Sequence, residues 1–194
     1  MKSRIVQPSS NLLLPARRSF VTAGVLSATA VALLGGRDAL AAKSGAGSGG
    51  GEGDVAILNA ALAAEHQAVA AYQVGAESGL LTAAVKPLAL EFQGHHKAHA
   101  DVLAGIVKKL GGQPVSAKSN YDFPVSKLKS QADVLQFAAS LEKGAVAAYV
   151  GAVPKFDDRA LSQAAATILG DEAMHWAVLR QALGEQPVPA AFVG

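Results

Sequence analysis

The chain has no cysteine among its 194 residues. That excludes disulfides, thiolate metal ligation, a cysteine nucleophile and a lipidated N-terminal cysteine. Aromatic residues make up only 5% of the chain and charged residues only 16%. Runs of β-branched or aromatic residues, from which strands are built, are few. Alanine, leucine and valine dominate instead, within a hydrophobic content of 51%. That composition favours helices over strands.

A basic surface is missing as well. The formal charge of +2 leans on the N-terminus: residues 1–41 hold five of the 17 basic groups (Lys2, Arg4, Arg17, Arg18, Arg37) and one of the 15 acids, Asp38. The remainder has 12 basic and 14 acidic residues, net −2, which argues against a nucleic-acid partner. Within that N-terminal stretch, Arg17 and Arg18 precede Phe20, an apolar run from Val21 to Leu34, and Ala39-Leu40-Ala41, a small-residue cleavage pattern. This resembles a bacterial twin-arginine (Tat) export signal. The resemblance implies passage through the Tat export machinery, a periplasmic or secreted location, and removal of residues 1–41. The apolar run of about fourteen residues is shorter than the roughly 20 a bilayer-spanning helix needs, so no stable membrane anchor is expected after cleavage.

Residues 42–53, "AKSGAGSGGGEG", are Gly/Ser-rich and read as a flexible spacer. Four helical segments follow. The first is expected from Asp54, a plausible N-cap, to about Gly75, and the second from about Val85 to Leu110, ending at Gly111-Gly112. The third is expected from Ser130 to Gly151, and the last from about Asp157 to Leu183, with Gly184 just beyond its end. Residues 111–129 lack helical periodicity and form a long connection, and residues 186–194 form a tail. The two helix pairs repeat each other: "AVAAY" occurs at 68–72 and 145–149, and "HADVL" at 99–103 matches "HWAVL" at 175–179. The offset is nearly constant, 77 and then 76. The fold class expected is all-α, a four-helix bundle over residues 54–185 with a long crossover between helices two and three.

Histidine is scarce too, yet three of the five sit in "GHHKAHADVL" at residues 94–103. The repeat puts Glu65 in register with Glu142, His96 with Glu172, and His99 with His175. Glu65 shares its helix face with Leu58, Leu62, Val69 and Tyr72; Glu142 shares its face with Leu135, Ala139, Val146 and Tyr149. His99 and His175 lie on similar apolar stripes, which must turn inward. Carboxylates buried there need cations or donors. A divalent metal held by these side chains would supply the compensation, which makes the imidazoles candidate ligands.

One Glu on each of two helices, with Glu-x-x-His on the others, resembles the ferritin-like di-iron carboxylate proteins. "ILNAALAAEHQAVAAYQ", "FQGHHKAH" and "DEAMHWAVLRQALG" look like an exported branch, the Tat-signal ferritin-like domain proteins. The resemblance implies Glu65, His99, Glu142, Glu172 and His175 as metal ligands. It also implies a divalent cofactor, iron first, with manganese or zinc as alternatives. At His96 the sequence departs from the pattern, which has Glu there. Three carboxylates and three imidazoles then face the metal, which shifts preference toward zinc or copper and toward one ion as well as two.

Two functions of different class follow. One is an exported metal-binding bundle with oxidase or metal-handling activity, able to form a homo-oligomer. The other is a metal-free structural or stress-protective bundle in which Glu65 and Glu142 pair with the histidines. A haem site lacks axial ligands, since Met174 faces away from His175. Tyr72 and Tyr149 read first as core, with a hydrogen bond to the glutamates as the alternative. His66, in register with Lys143, reads as solvent-facing, and Glu91 as surface. His95 and Asp171 read as outer partners of the site, and Trp176 as packing.

Overall fold

The computed structural model describes residues 50–193; the export-signal reading of residues 1–41 and most of the spacer lie outside them. Four long helices make up the architecture: α1 (Gly50–Glu77), α2 (Lys86–Lys109), α3 (Gln131–Ala152) and α4 (Arg159–Ala182). Among the described residues there is no strand, as the composition requires. None of these helices is long and apolar enough to cross a membrane.

The helix ends follow local chemistry. Pro87 sits in the first turn of α2, where its missing N–H is no loss. Ser130 caps α3 by accepting from Asp133 N, while Asp133 Oδ2 accepts from Lys129 N and the Ser130 hydroxyl. Asp158 caps α4 by accepting from Ala160 N at 2.7 Å, one residue past the expected start near Asp157. The two ends marked by glycine are built alike. Gly111 and Gly184 adopt φ of 79° and 76°, a left-handed conformation that suits glycine. Each is followed by a residue whose N–H returns to the last turn: Gly112 to Val107 and Glu185 to Arg180.

The start of α1 differs from expectation. Gly50 is already helical, so the end of the expected spacer belongs to α1, and Asp54 lies inside the helix instead of capping it. The reason is tertiary. Asp54 is buried, and its two oxygens accept from Asp157 N (2.9 Å) and Asp158 N (3.2 Å), tying the first turns of α1 to the approach to α4. Gly112 packs against Val55 so closely that a Cβ there would come within 2.6 Å of it. These contacts hold a glycine-rich turn that propensity alone would leave unfolded.

α1 packs along α2 and α3 along α4 as hairpins, and α1 also meets α3. The crossover of residues 111–129 contains only a 3-10 turn, Val125–Lys127. It leaves beside the start of α1, where Asn59 bonds to Gln113 O and Val115 N. It arrives beside the end of α1, where Gly75 faces Val134 and Thr82 N donates to Gln131. So α3 runs antiparallel to α1, and the crossover spans the length of the bundle. Two apolar layers fill the interior. One contains Leu58, Leu62, Leu103, Val107, Leu161 and Ile168; the other contains Tyr72, Phe92, Leu135, Ala139 and Leu179. Apart from Asp54, the buried charged side chains collect between them.

Candidate metal centre

All six residues singled out from the sequence converge at mid-bundle. α1 contributes Glu65, α2 His96 and His99, α3 Glu142, and α4 Glu172 and His175. Glu65, His96, Glu142, Glu172 and His175 are each at most 2% exposed, and His99 is slightly open at 14%. They form two overlapping half-sites whose ligand atoms lie within 4.8 Å of one another: Glu65, His96, His99 and Glu172, and then His96, Glu142, Glu172 and His175.

The internal repeat becomes a spatial pseudo-symmetry. Tyr149 of α3 donates to Glu65 Oε1 of α1 at 2.6 Å, and Tyr72 of α1 donates to Glu142 Oε1 of α3. Both tyrosines are therefore more than core packing; each holds the carboxylate of the other helix. Burial and the facing carboxylate push both phenols well above their ordinary value. His96 lies between the same two carboxylates, with Nδ1 2.8 Å from Glu65 Oε2 and Nε2 3.2 Å from Glu142 Oε1. Asp171 works from outside. Its Oδ2 lies 3.3 Å from Nε2 of both His99 and His175, which turns Nδ1 of each ring inward. His95, on the rim, has its Nδ1 3.1 Å from Asp171 Oδ2 and 2.9 Å from His175 Nε2. Phe92 stacks on the His175 ring at 4.0 Å and fixes its plane.

Electrostatically the cluster is a compensated network with one weak member. Burial opposes the charge on Glu65, but the His96 hydrogen bond and the nearby charges of His96 and His99 prevail and lower it to about 2. Glu142 is likewise held below the carboxylate range by His175 and His96 against its burial. Burial disfavours the imidazolium forms, yet the carboxylates win: His96 rises to about 9, and His99 and His175 to about 11. Glu172 is the exception. Burial and the neighbouring Glu142 raise it despite His175 and His99.

Hydrogen bonding leaves a gap at the same place. Among the described residues, five buried side-chain polar atoms lack a hydrogen-bond partner: His99 Nδ1, His175 Nδ1, Glu142 Oε2 and both oxygens of Glu172. All belong to this cluster. His99 Nδ1 is 3.1 Å from Glu172 Oε1, and His175 Nδ1 is 3.7 Å from Glu172 Oε2, close but not aligned as hydrogen bonds. Buried polar groups are nearly always satisfied. Lone pairs that approach one another without bonding, in a mixed imidazole and carboxylate set, are what a common divalent cation requires. The donor set therefore fits a metal.

A groove of about 610 Å³ runs between α1 and α3 and reaches this centre. Small residues line it, among them Ala64, Ala68, Gly144 and Ala148, with Glu65, His96 and Glu142 at its floor. The sequence reading missed it, although the small residues recurring beside each glutamate were visible. His66 also departs from expectation: it is half-buried, with Nε2 3.3 Å from Val115 O of the crossover. Val178, one turn beyond His175, is 38% exposed, so the inward stripe of α4 is narrower than its apolar pattern; Met174 faces outward and Glu91 is exposed as expected.

Comparison with known proteins agrees with this architecture. A conserved hypothetical protein from Mycobacterium tuberculosis has a similar structure, with TM-score 0.64 and 26% identity, covering 73% of this chain and 98% of its own. A ferritin-like, diiron-carboxylate protein from Bacillus anthracis gives 0.60 at 20% identity, covering 71% and 99%. A dodecameric thioferritin from Bacteroides fragilis gives 0.59 at 24%, covering 81% and 94%. No curated protein matches significantly. The ferritin-like domain family matches residues 53–185, from the first turn of α1 to the turn after α4, and the chain belongs to that family.

Proposed function

We propose that this chain is an exported ferritin-like protein that binds divalent metal at mid-bundle through Glu65, His96, His99, Glu142, Glu172 and His175. The observation that carries the reading is the set of five unpartnered buried atoms, every one on these residues. Leaving them unsatisfied would cost about 1–3 kcal/mol each, a penalty that a shared cation removes. Iron is the first candidate, in keeping with the diiron-carboxylate protein of like fold, with manganese and zinc as alternatives. A bound redox-active ion would supply electron transfer to a small oxidant, which makes oxidase or metal-handling activity the class to test. The chain's own residues do the positioning. Asp171 orients both imidazoles, Tyr72 and Tyr149 hold the two carboxylates, and the apolar layers on either side exclude water. The groove between α1 and α3 supplies an approach. A homo-oligomer belongs to this reading, since one protein of like fold is dodecameric.

Export rests on Arg17-Arg18, the short apolar run and Ala39-Leu40-Ala41. Replacing both arginines by lysine should hold the protein in the cytoplasm; unchanged export would remove this part of the proposal. Elemental analysis of full-length protein purified after native export tests the metal reading, alongside His99→Ala and His175→Ala. Metal in the parent and a marked drop in at least one variant is expected. Near-zero content in all three would end it.

The second reading is a metal-free protective bundle. Its support is His96, whose two nitrogens already bridge Glu65 and Glu142 as an internal cation. A melting temperature indifferent to chelator would favour it.

A further inference from the structure

We propose that the two half-sites are unequal, and that only one holds a tightly bound cation: the position formed by His96 Nε2, Glu142 Oε2, Glu172 and His175 Nδ1. This rests on the metal-binding reading above and specifies it.

The argument starts from the two residues that the half-sites share, Glu172 and His96. A carboxylate can serve two ions, one through each oxygen. Glu172 is arranged for that, with Oε1 toward His99 and Oε2 toward His175, and neither oxygen hydrogen-bonded. A neutral imidazole has a single lone pair, because its other nitrogen carries hydrogen. His96 can complete one half-site or the other, but not both.

The structure decides which. His96 faces a carboxylate at each nitrogen, Glu65 Oε2 at 2.8 Å from Nδ1 and Glu142 Oε1 at 3.2 Å from Nε2, and a ring that gives up one proton to bind a metal keeps its hydrogen at the shorter contact, on Nδ1. The lone pair is then on Nε2, toward α3. Glu65 is also spoken for at its other oxygen, by Tyr149. Glu142 differs: Oε1 receives Tyr72, while Oε2 is buried and free. The α3 side thus offers free donors on Glu142, Glu172 and His175, and its four members are all buried. The other side has a Glu65 already hydrogen-bonded at both oxygens and a partly open His99.

One ligand atom from each of the four residues of the favoured half-site lies within 4.8 Å of the others. The nearest approaches to the Glu142 carboxylate are at Oε1, 3.2 Å from His96 Nε2 and 3.5 Å from His175 Nδ1, with Oε2 on the same group, and His175 Nδ1 lies 3.7 Å from Glu172 Oε2. Two nitrogens and two oxygens in that arrangement suit a zinc-like divalent ion.

The test is zinc binding to the full chain stripped with chelator, by calorimetry and by elemental analysis after dialysis, with circular dichroism to check folding. One ion per chain is expected to survive dialysis. Glu142→Gln and His175→Ala should each weaken it at least a hundredfold, whereas Glu65→Gln and His99→Ala retain it. His96→Glu, which restores a second bridging carboxylate, should raise the retained number to two. Two equivalent ions in the parent, or equal losses in Glu65→Gln and Glu142→Gln, would overturn the inequality while leaving metal binding intact. No ion in the parent would remove both. If Glu142→Gln fails to fold, zinc-edge absorption spectroscopy of the parent decides: a four-coordinate shell with two imidazoles supports the proposal, and a metal–metal vector overturns it.

Discussion

At the scale of single residues, the cluster makes stability depend on pH in a way that metal should change. His96, His99 and His175 have folded values near 9, 11 and 11 against an ordinary 6.5. Their contribution is complete below 6.5 and is lost as pH climbs through 9 toward 11. Glu65, lowered from 4.5 to about 2, contributes fully above 4.5 and loses that contribution as pH falls through 2. Glu172 is raised and works against both, since its charged form is disfavoured in the fold. The stripped protein should therefore be most stable between about pH 4.5 and 6.5 and decline toward pH 9. Metal needs deprotonated imidazoles, so its stabilisation should grow over the same range. Thermal melts of stripped and loaded protein at pH 6 and 9 should diverge; parallel curves would contradict the network. Asp171→Asn gives a second check. It removes the charge that orients His99 and His175, and metal affinity should fall roughly 10–100-fold with little change in secondary structure.

At the scale of elements, the joint between α1 and α4 is the informative one. Asp54 looks from its position like the cap of its own helix, but its carboxylate serves the backbone before α4. Asp54→Ala would leave two N–H groups, of Asp157 and Asp158, without their acceptor. A loss of about 2 kcal/mol in urea unfolding is expected. Capping of α1 alone would predict fraying of residues 50–53 with the α4 end undisturbed, so amide exchange at Asp157 and Asp158 separates the two. Ser130, by contrast, was readable as a cap because its partner Asp133 lies three residues away in sequence. Local partners are visible in a sequence; a partner 103 residues distant is not.

At the scale of the whole molecule, the bundle has two apolar layers, a charged layer between them, and a groove leading inward. Ala64 and Ala148 border that groove and are exposed, so larger side chains there meet space instead of core. Changing both to leucine should slow metal uptake and release severalfold, with stability altered by no more than about 0.5 kcal/mol. Stopped-flow mixing with a coloured chelator would read the rate. An unchanged rate would mean that ions reach the centre another way, through the rim at His95 and Asp171.

The sequence by itself determined the four helices, the stops at Gly111 and Gly184, the long crossover and the convergence of Glu65, His96, His99, Glu142, Glu172 and His175. It could do so because helical periodicity decides which side chains turn inward, and an internal repeat doubles each piece of evidence. The tertiary structure alone decided what each polar atom faces. The crossed tyrosine pairs, the helical turn at Gly50, the contact of His66 with the crossover, and a Glu65 hydrogen-bonded at both oxygens where Glu142 keeps one free all depend on ångström-scale distances between different segments. Periodicity assigns a residue to a face, and hydrogen bonding then depends on which atoms of the opposing face arrive within reach.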